Sequence, residues 1–93
     1  MKMTKHNFNI IEKVSGLIDL YFSVTDDDDL DVDYSTDANG VIEIVAGTID
    51  KYDRQTKEYT RYSIRLTFDD NGEPISILFQ KKGVVVGKKL PKM

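Results

Sequence analysis

The residues of this chain that could do chemistry are mostly carboxylates, and they are concentrated in one segment. Residues 24–40, VTDDDDLDVDYSTDANG, contain no lysine or arginine and seven aspartates, namely Asp26, Asp27, Asp28, Asp29, Asp31, Asp33 and Asp37. Closely spaced carboxylates can form a solvated turn, bind a hard cation such as Ca²⁺, or present a negative surface to a basic partner. The residues around these aspartates distinguish between the three uses.

A calcium loop is the most specific of these uses. Counted from Ser35, Asp37 and Asn39 fall at the third and fifth positions of an EF-hand loop. The first position is serine, however, and the twelfth is Ala46, where the loop requires a bidentate glutamate. A hairpin turn at Asn39 and the glycine after it explains the same residues. The sequence therefore predicts no specific metal site, although residues 26–29 could gather a cation loosely.

Few residues are suited to catalysis. The chain has no cysteine and a single histidine, His6, so the usual dyads and triads cannot be assembled and a thiolate zinc site is excluded. The segment GVVVGKK at 83–89 differs from a phosphate loop, which has four residues between its glycines and a Ser or Thr after the lysine. We expect no enzymatic activity and no cofactor, and we expect His6 to be an isolated, exposed side chain.

Acidic and basic residues are unevenly distributed along the chain, whose net charge is -3. Residues 1–50 carry three lysines and eleven acidic residues, whereas residues 51–93 carry ten basic and five acidic residues. Domains that bind nucleic acid usually carry net positive charge, so the pI of about 5.0 argues against direct nucleic-acid binding. The two halves could still interleave in space, and in that case their charges would pair.

Length and composition predict a single domain spanning 1–93, because 93 residues with 40% hydrophobic content can bury one small core. The N-terminal stretch reaches Glu12 before it accumulates the apolar run of a secretory signal. Nowhere does the chain contain the roughly eighteen consecutive apolar residues of a transmembrane helix. The sequence therefore predicts no membrane contact and a cytoplasmic location.

Hydrophobic periodicity predicts one helix over about residues 4–22. Thr4 or Asn7 can cap its N-terminus, and an apolar stripe recurs at spacings of three and four from Phe8 to Phe22. Gly16 is expected to be a weak point, marking a bend or the close approach of a strand.

Alternating patterns predict strands at about 30–35, 41–49, 58–68, 74–80 and 84–87, with a bulge at Gly47, a polar connection at 50–58 and a loose tail at 90–93. The fold class is therefore α+β, with one N-terminal amphipathic helix packed on a four- to five-stranded antiparallel meander sheet. In element order it resembles cystatin-like and PepSY-like folds. The predicted core consists of Phe8, Ile11, Ile18, Phe22, Leu30, Val32, Ile42, Ile44, Tyr62, Ile64, Leu66, Phe68, Ile75, Ile77 and Phe79.

The acidic segment suggests a function through its spacing. Asp31 and Asp33 lie on the outer face of a predicted strand, two rises of roughly 3.4 Å apart. Such a ladder broadly resembles the charge repeat of a nucleic-acid strand, which proteins grip through lysine and arginine. In size and acidity the chain is similar to phage-encoded antagonists such as anti-CRISPR proteins and uracil-DNA glycosylase inhibitors. We therefore expect residues 26–29, Asp31, Asp33 and Asp37 to bind a basic protein surface, such as that of a nucleic-acid-binding enzyme in a bacterial cytoplasm.

Two alternatives remain open at this stage. One is a structural or immunity-type interaction domain that does not imitate nucleic acid. The other is a weak nucleic-acid binder that uses the basic half, with Tyr59 stacking on a base and a surface formed by Arg61, Arg65, Lys81, Lys82, Lys88 and Lys89. Carboxylates of 26–37 that mingle with Arg61 and Arg65 would favour a structural role, and segregated charges would favour a binding role.

Overall fold

The computed structural model of the chain describes residues 4–90, which form one helix and four strands. They are α1 (Lys5–Phe22), β1 (Asp29–Thr36), β2 (Ile42–Asp53), β3 (Glu58–Phe68) and β4 (Pro74–Val85). The strands make one antiparallel sheet in the order β1-β2-β3-β4, so β1 and β4 are its two edges. The predicted α+β architecture is confirmed, with four strands in the sheet.

Two predicted strand boundaries are wrong. The fifth strand expected at 84–87 does not exist in the described part of the chain, because Val84 and Val85 continue β4 and pair with β3. The polar connection expected at 50–58 is shorter, because Asp50–Asp53 extend β2 and pair with β3 as far as Glu58. Apart from Leu90, the predicted tail lies outside the described residues.

The helix begins after Thr4, whose side-chain oxygen accepts a hydrogen bond from the Asn7 backbone N–H at 3.1 Å. Asn7 is not the cap but a buried side chain. Its amide group donates to the Gly40 carbonyl oxygen at 2.8 Å and accepts from the Ile42 N–H at 3.0 Å. A polar side chain therefore fastens the N-terminal end of α1 to the hairpin between β1 and β2.

The core lies between α1 and the two central strands. Its fully buried members are Ile10, Val14 and Ile18 of α1, Ile42, Val45 and Ile49 of β2, and Ile64, Leu66 and Phe68 of β3. The predicted stripe is confirmed at Val14 and Ile18, but its first position, Phe8, is 51% exposed because the buried face of the helix begins at Asn7. Leu30, Ile75 and Ile77 are also exposed, since the helix covers the centre of the sheet and these residues lie on its edge strands. These four predicted core positions are wrong.

A bulge in β2 decides which of its side chains enter the core. Ser35 pairs with Ile44 and Thr36 with Ile42, which leaves Glu43 without a partner in β1. One extra residue reverses the alternation of side chains across the sheet. Beyond the bulge Val45 is therefore fully buried, while Ile44, a predicted core residue, is only half-buried.

Gly47 pairs regularly with Val32 and Ile64, so the bulge predicted there is wrong. The glycine is needed for a close approach of backbones, since a Cβ at this position would lie 2.0 Å from the Asp31 carbonyl oxygen. Gly16, where the sequence predicted a weak point, has open space around it.

No helix within residues 4–90 combines the length and apolar character needed to cross a membrane.

We expect Leu66→Ala to lower the free energy of unfolding by about 2–5 kcal/mol, since it removes a fully buried side chain from the core. Ile75→Ala, at a position 64% exposed, is the matched control and should change it by no more than about 0.5 kcal/mol. Urea denaturation followed by circular dichroism measures both. Equal losses in the two variants would contradict the assignment of the core.

The two glycines make a second matched pair. Gly16→Ala should raise the free energy of unfolding by about 0.5–1 kcal/mol, because alanine is the better helix former and meets no neighbour. Gly47→Ala should destabilise strongly, because β1 must move away from β2 to admit the methyl group. A Gly47→Ala variant that melts at the parental temperature would show that the strands do not approach so closely.

Candidate interaction surface

The acidic run divides into carboxylates that hold the fold together and carboxylates that are free. Asp28 belongs to the first group, since only 1% of its side chain is exposed. It accepts hydrogen bonds from the Thr25 N–H at 2.8 Å, the Tyr52 N–H at 2.9 Å and the Lys51 ammonium at 2.5 Å. The expectation that residues 26–29 are all exposed is therefore wrong for Asp28, because its neighbours supply donors that replace water.

Lys51 extends this network to the end of the helix. Its ammonium also donates to the Ser23 carbonyl oxygen at 3.1 Å, and Ser23 ends α1 in a left-handed conformation with φ 51°. Burial of Asp28 opposes its ionisation, but the hydrogen bonds from Lys51, Tyr52 and Thr25 outweigh this and lower the pKa of the carboxyl below its ordinary 3.8. Asp28 is thus a charged structural joint between the helix, the turn and β2.

Asp27 and Asp29 are also paired with residues of the basic half. Asp27 forms an ion pair with Arg54 at 3.1 Å, and its backbone oxygen accepts the Tyr59 hydroxyl at 3.1 Å. Asp29 pairs with Lys88 at 2.5 Å. At this end of the sheet the acidic and basic residues mingle, which is the arrangement typical of a structural role.

Asp50 is the centre of a cluster that the sequence did not reveal. Its buried carboxylate accepts from Arg61 through Nε at 2.7 Å and Nη2 at 2.9 Å, and from Lys88 at 3.0 Å. Hydrogen bonds from Arg61 and Lys88 lower the pKa of Asp50, despite its burial. Contact with Asp29 and Asp50 raises the pKa of Lys88. The sequence does contain a signal for this pair. Once β2 is extended to include DKYD (50–53), its pairing with EYTR (58–61) places Asp50 opposite Arg61.

The alternative basic surface is reduced by the same cluster. Arg61 and Lys88 are engaged with Asp50, and Tyr59 is only 4% exposed, beneath the Lys88 ammonium at 5.1 Å from the ring centroid. The Tyr59 ring is therefore not exposed for stacking on a nucleobase, as the nucleic-acid-binding alternative required. The remaining residues of that surface are exposed and form no salt bridge within 4–90, namely Arg65, Lys81, Lys82 and Lys89.

The free carboxylates are those of Asp26, Asp31 and Asp33. All three are exposed, and within the described chain they make neither an ion pair nor a side-chain hydrogen bond. Asp31 lies opposite Thr48 of β2, and Asp33 lies opposite an alanine. Arg65, on the same face, is two strands from Asp33, roughly 10 Å at the usual strand spacing. Asp31 and Asp33 thus lie beside the paired Asp29 without an ion pair of their own.

The helix side of the β1 edge is acidic as well. A groove of about 540 Å³ separates α1 from β1, and no lysine or arginine is among the described residues that line it. Glu12 and Asp19 stand on its helix wall, while Leu30, 44% exposed, contributes an apolar patch on the strand. Carboxylates therefore flank the free edge of β1 on both sides. We call Asp31, Asp33, Glu12 and Asp19 the acidic edge.

Asp37 and His6 have local surroundings of their own. The Asp37 carboxylate accepts from the Asn39 N–H at 2.8 Å and the Val41 N–H at 3.0 Å, so it caps the hairpin turn. Within residues 4–90 no group of three or more acidic or histidine side chains is placed to hold a metal ion. The exposed position predicted for His6 is wrong, since it is half-buried and its Nε2 lies buried near Gly72.

Comparisons of the chain with protein-family models, with curated proteins and with solved structures found no match. No solved structure therefore supports the resemblance in element order to cystatin-like and PepSY-like folds.

Asp28→Asn should lower the free energy of unfolding by about 1–3 kcal/mol, because an amide cannot accept from all the donors around the carboxylate. Asp26→Asn, in the same run but exposed and unpaired, is the control and should change it by less than about 0.5 kcal/mol.

The same pair gives a pH dependence with a definite sign. A carboxyl whose pKa is lowered in the folded state stabilises the fold above its unfolded value, here 3.8, and this stabilisation is lost as the pH falls through the folded value. Below pH about 4, the free energy of unfolding of the parent and of Asp26→Asn should therefore fall more steeply than that of Asp28→Asn. Three parallel curves of unfolding free energy against pH would contradict the role of Asp28.

Proposed function

We propose that this chain is a small non-enzymatic binding module that presents the acidic edge to a basic protein surface. The observation that carries the proposal is that Asp31 and Asp33 stand without an ion pair on a free strand edge, whereas the neighbouring Asp27, Asp28 and Asp29 each have a basic partner. Neighbouring like charges on one face of a strand repel each other, so they do not stabilise the fold. On an edge strand they keep other strands from pairing, and they remain available to bind a basic surface.

The partner that fits this surface is a groove that holds nucleic acid. Asp31 and Asp33 are spaced roughly 6.8 Å apart along the strand, and such a groove aligns lysine and arginine side chains with a repeating negative charge. Opposite charges also accelerate the encounter between the two surfaces. The chain would then act as a stoichiometric inhibitor that occupies the groove in place of nucleic acid.

The β1 edge adds two kinds of contact to this electrostatic attraction. Because β1 is the outermost strand, one side of its backbone has N–H and C=O groups with no strand partner, and lysine or arginine side chains can donate to such carbonyl groups. Leu30 supplies exposed apolar area beside the charges. A charged rim next to an apolar patch is typical of protein interfaces.

Of the acidic residues that the sequence predicted to bind a partner, Asp27, Asp28, Asp29 and Asp37 have structural partners within the chain. In the proposal they position β1 and its hairpin, and Asp26 extends the negative surface at the turn. The size and acidity of the chain agree with an inhibitor of this kind that is encoded by a phage and acts in a bacterial cytoplasm.

The experiment compares three tagged proteins in a pull-down from bacterial lysate at low and high salt, followed by mass spectrometry. The parent should retain a nucleic-acid-binding protein at low salt, and a short DNA duplex should displace it. Asp31→Asn with Asp33→Asn should lose this partner by about tenfold or more, mainly through slower association, while its melting temperature stays the same or rises slightly. Asp70→Asn, an exposed carboxylate far from β1, is the control and should bind like the parent.

Three results would decide against the proposal. Equal retention by the parent and the double variant would leave the carboxylates without a role in binding. A partner that depends on Asp31 and Asp33 but is not displaced by DNA would support an interaction domain without mimicry. Direct binding of a labelled oligonucleotide by the parent, lost in Arg65→Ala, would support the basic surface instead.

A further inference from the structure

The second free edge of the sheet, β4, differs in chemistry from the acidic edge. Ile75, Ile77 and Leu78 are 64%, 38% and 48% exposed, although β4 pairs with β3 along most of its length. Ile77 lies on the face that carries the helix, opposite Leu66, and Leu78 lies on the outer face, opposite Arg65. An edge strand that exposes apolar side chains on both faces is a template for pairing with another strand.

Aromatic side chains extend this apolar area onto the helix. Tyr21 is exposed and packs edge-on against Phe79 of β4, with ring centroids 4.9 Å apart. Phe22 packs against the other side of Phe79, also at 4.9 Å. Phe79 is therefore held in place from inside the protein, and a strand that paired with β4 would find Tyr21 and Ile77 already in position.

The charges along β4 are arranged so that the strand complements itself. Glu73 immediately precedes the strand and pairs with Lys13 of α1 at 3.3 Å, although most of its side chain remains exposed. Lys81 and Lys82 lie toward the other end of the strand and are exposed as well. When a second β4 runs antiparallel to the first, the lysines of each copy come close to the glutamate of the other. A two-fold contact of this kind repeats every favourable pair twice.

We propose that two copies of this chain associate through antiparallel pairing of their β4 strands. The pairing joins two four-stranded sheets into one of eight strands. Bulges at Ile75 and Lys82 interrupt the ladder with β3 and leave a regular stretch between them, at residues 76–81. A register with Leu78 at the two-fold axis lies within this stretch and pairs residues 76–80 of one copy with residues 80–76 of the other.

This register also brings matching faces together. Opposite residues of an antiparallel pair point to the same side of the sheet. With Leu78 opposite its own copy, Ile77 of one protomer stands opposite Phe79 of the other, and both helices lie on one side. The apolar areas around Tyr21 then become continuous across the contact.

The β1 edge does not offer the same self-pairing. Two copies of β1 side by side would bring Asp31 and Asp33 close to their counterparts, and like charges across strands are destabilising. Charged side chains on an edge strand are a known way of preventing such pairing. The dimer therefore forms through β4, and it does so independently of the function proposed for the acidic edge.

The first test is the mass in solution. Sedimentation equilibrium from about 1 μM to 1 mM, a range suited to a small interface, should show a transition from 10.6 kDa to twice that mass. Leu78→Lys should keep the protein monomeric over the range. Leu20→Lys makes the same change at an exposed leucine of the helix and should dimerise like the parent. A parent that is monomeric throughout, or a dimer that both variants weaken equally, would overturn the proposal.

The second test concerns the register. The chain has no cysteine, so Leu78→Cys introduces a single thiol, which should form a disulfide-linked dimer under mild oxidation much faster than Leu20→Cys. Lys82→Glu should weaken the dimer, and adding Glu73→Lys should restore it, since the two charges exchange places across the contact. Equal cross-linking rates, or a double charge variant that stays weak, would overturn this arrangement. The melting temperatures of all variants are measured first, to show which of them fold. If Glu73→Lys does not fold, the cross-linking rate of Leu78→Cys alone tests the register.

Discussion

The buried carboxylate of Asp28 is the interaction on which the arrangement of the sheet and helix depends. It collects donors from the turn at Thr25 and from Lys51 and Tyr52 of β2, and Lys51 in turn holds the last carbonyl of the helical cap. Because β1 starts at the next residue, the position of Asp28 fixes where that strand begins and therefore which of its side chains face outward. The paired Asp28 therefore fixes the position from which Asp31 and Asp33 face the solvent. An acidic run that looks uniform in sequence thus consists of an anchor followed by the surface that it positions.

Polar contacts at both ends of the helix fix its orientation on the sheet, which a small apolar core alone does not do. At the N-terminal end Asn7 is bonded to the β1–β2 hairpin, and at the C-terminal end Lys51 and Asp28 bond it to β2. Apolar burial is not directional, so it holds the helix against the sheet without fixing the rotation of the helix about its own axis. Hydrogen bonds to buried groups are directional and expensive to leave unmade. They therefore select the face that passes through Ile10, and this selection leaves Phe8 outside the core.

Much of the fold could be predicted from sequence because its signals are local. The alternation in β3 gave the right face for Ile64 and Leu66, and the helix was predicted to within one residue of its observed ends. The errors come from non-local pairing. A bulge at Glu43 reverses the alternation of β2, and nothing in the local pattern marks it. The roles of Asp28 and Asp50 depend on partners 23 and 11 residues away, so a reading along the chain could assign them only to solvent. The exposed carboxylates were predicted correctly where no partner reaches them, as at Asp31 and Asp33.

The two edges of the sheet have opposite chemistry. An open sheet must prevent uncontrolled growth at its edges. Here β1 carries repelling charges, while β4 carries apolar side chains whose pairing is limited by bulges on both sides. Joining two copies through β4 would use up the apolar edge of each and leave the two acidic edges at opposite ends of one continuous sheet. The assembly would then be closed to further strands and bivalent for a basic partner. A partner that is itself two-fold, or that offers two basic grooves, would gain from the linkage between the edges because the second contact becomes intramolecular. Self-association at one edge would in this way strengthen recognition at the other without any contact between the two surfaces.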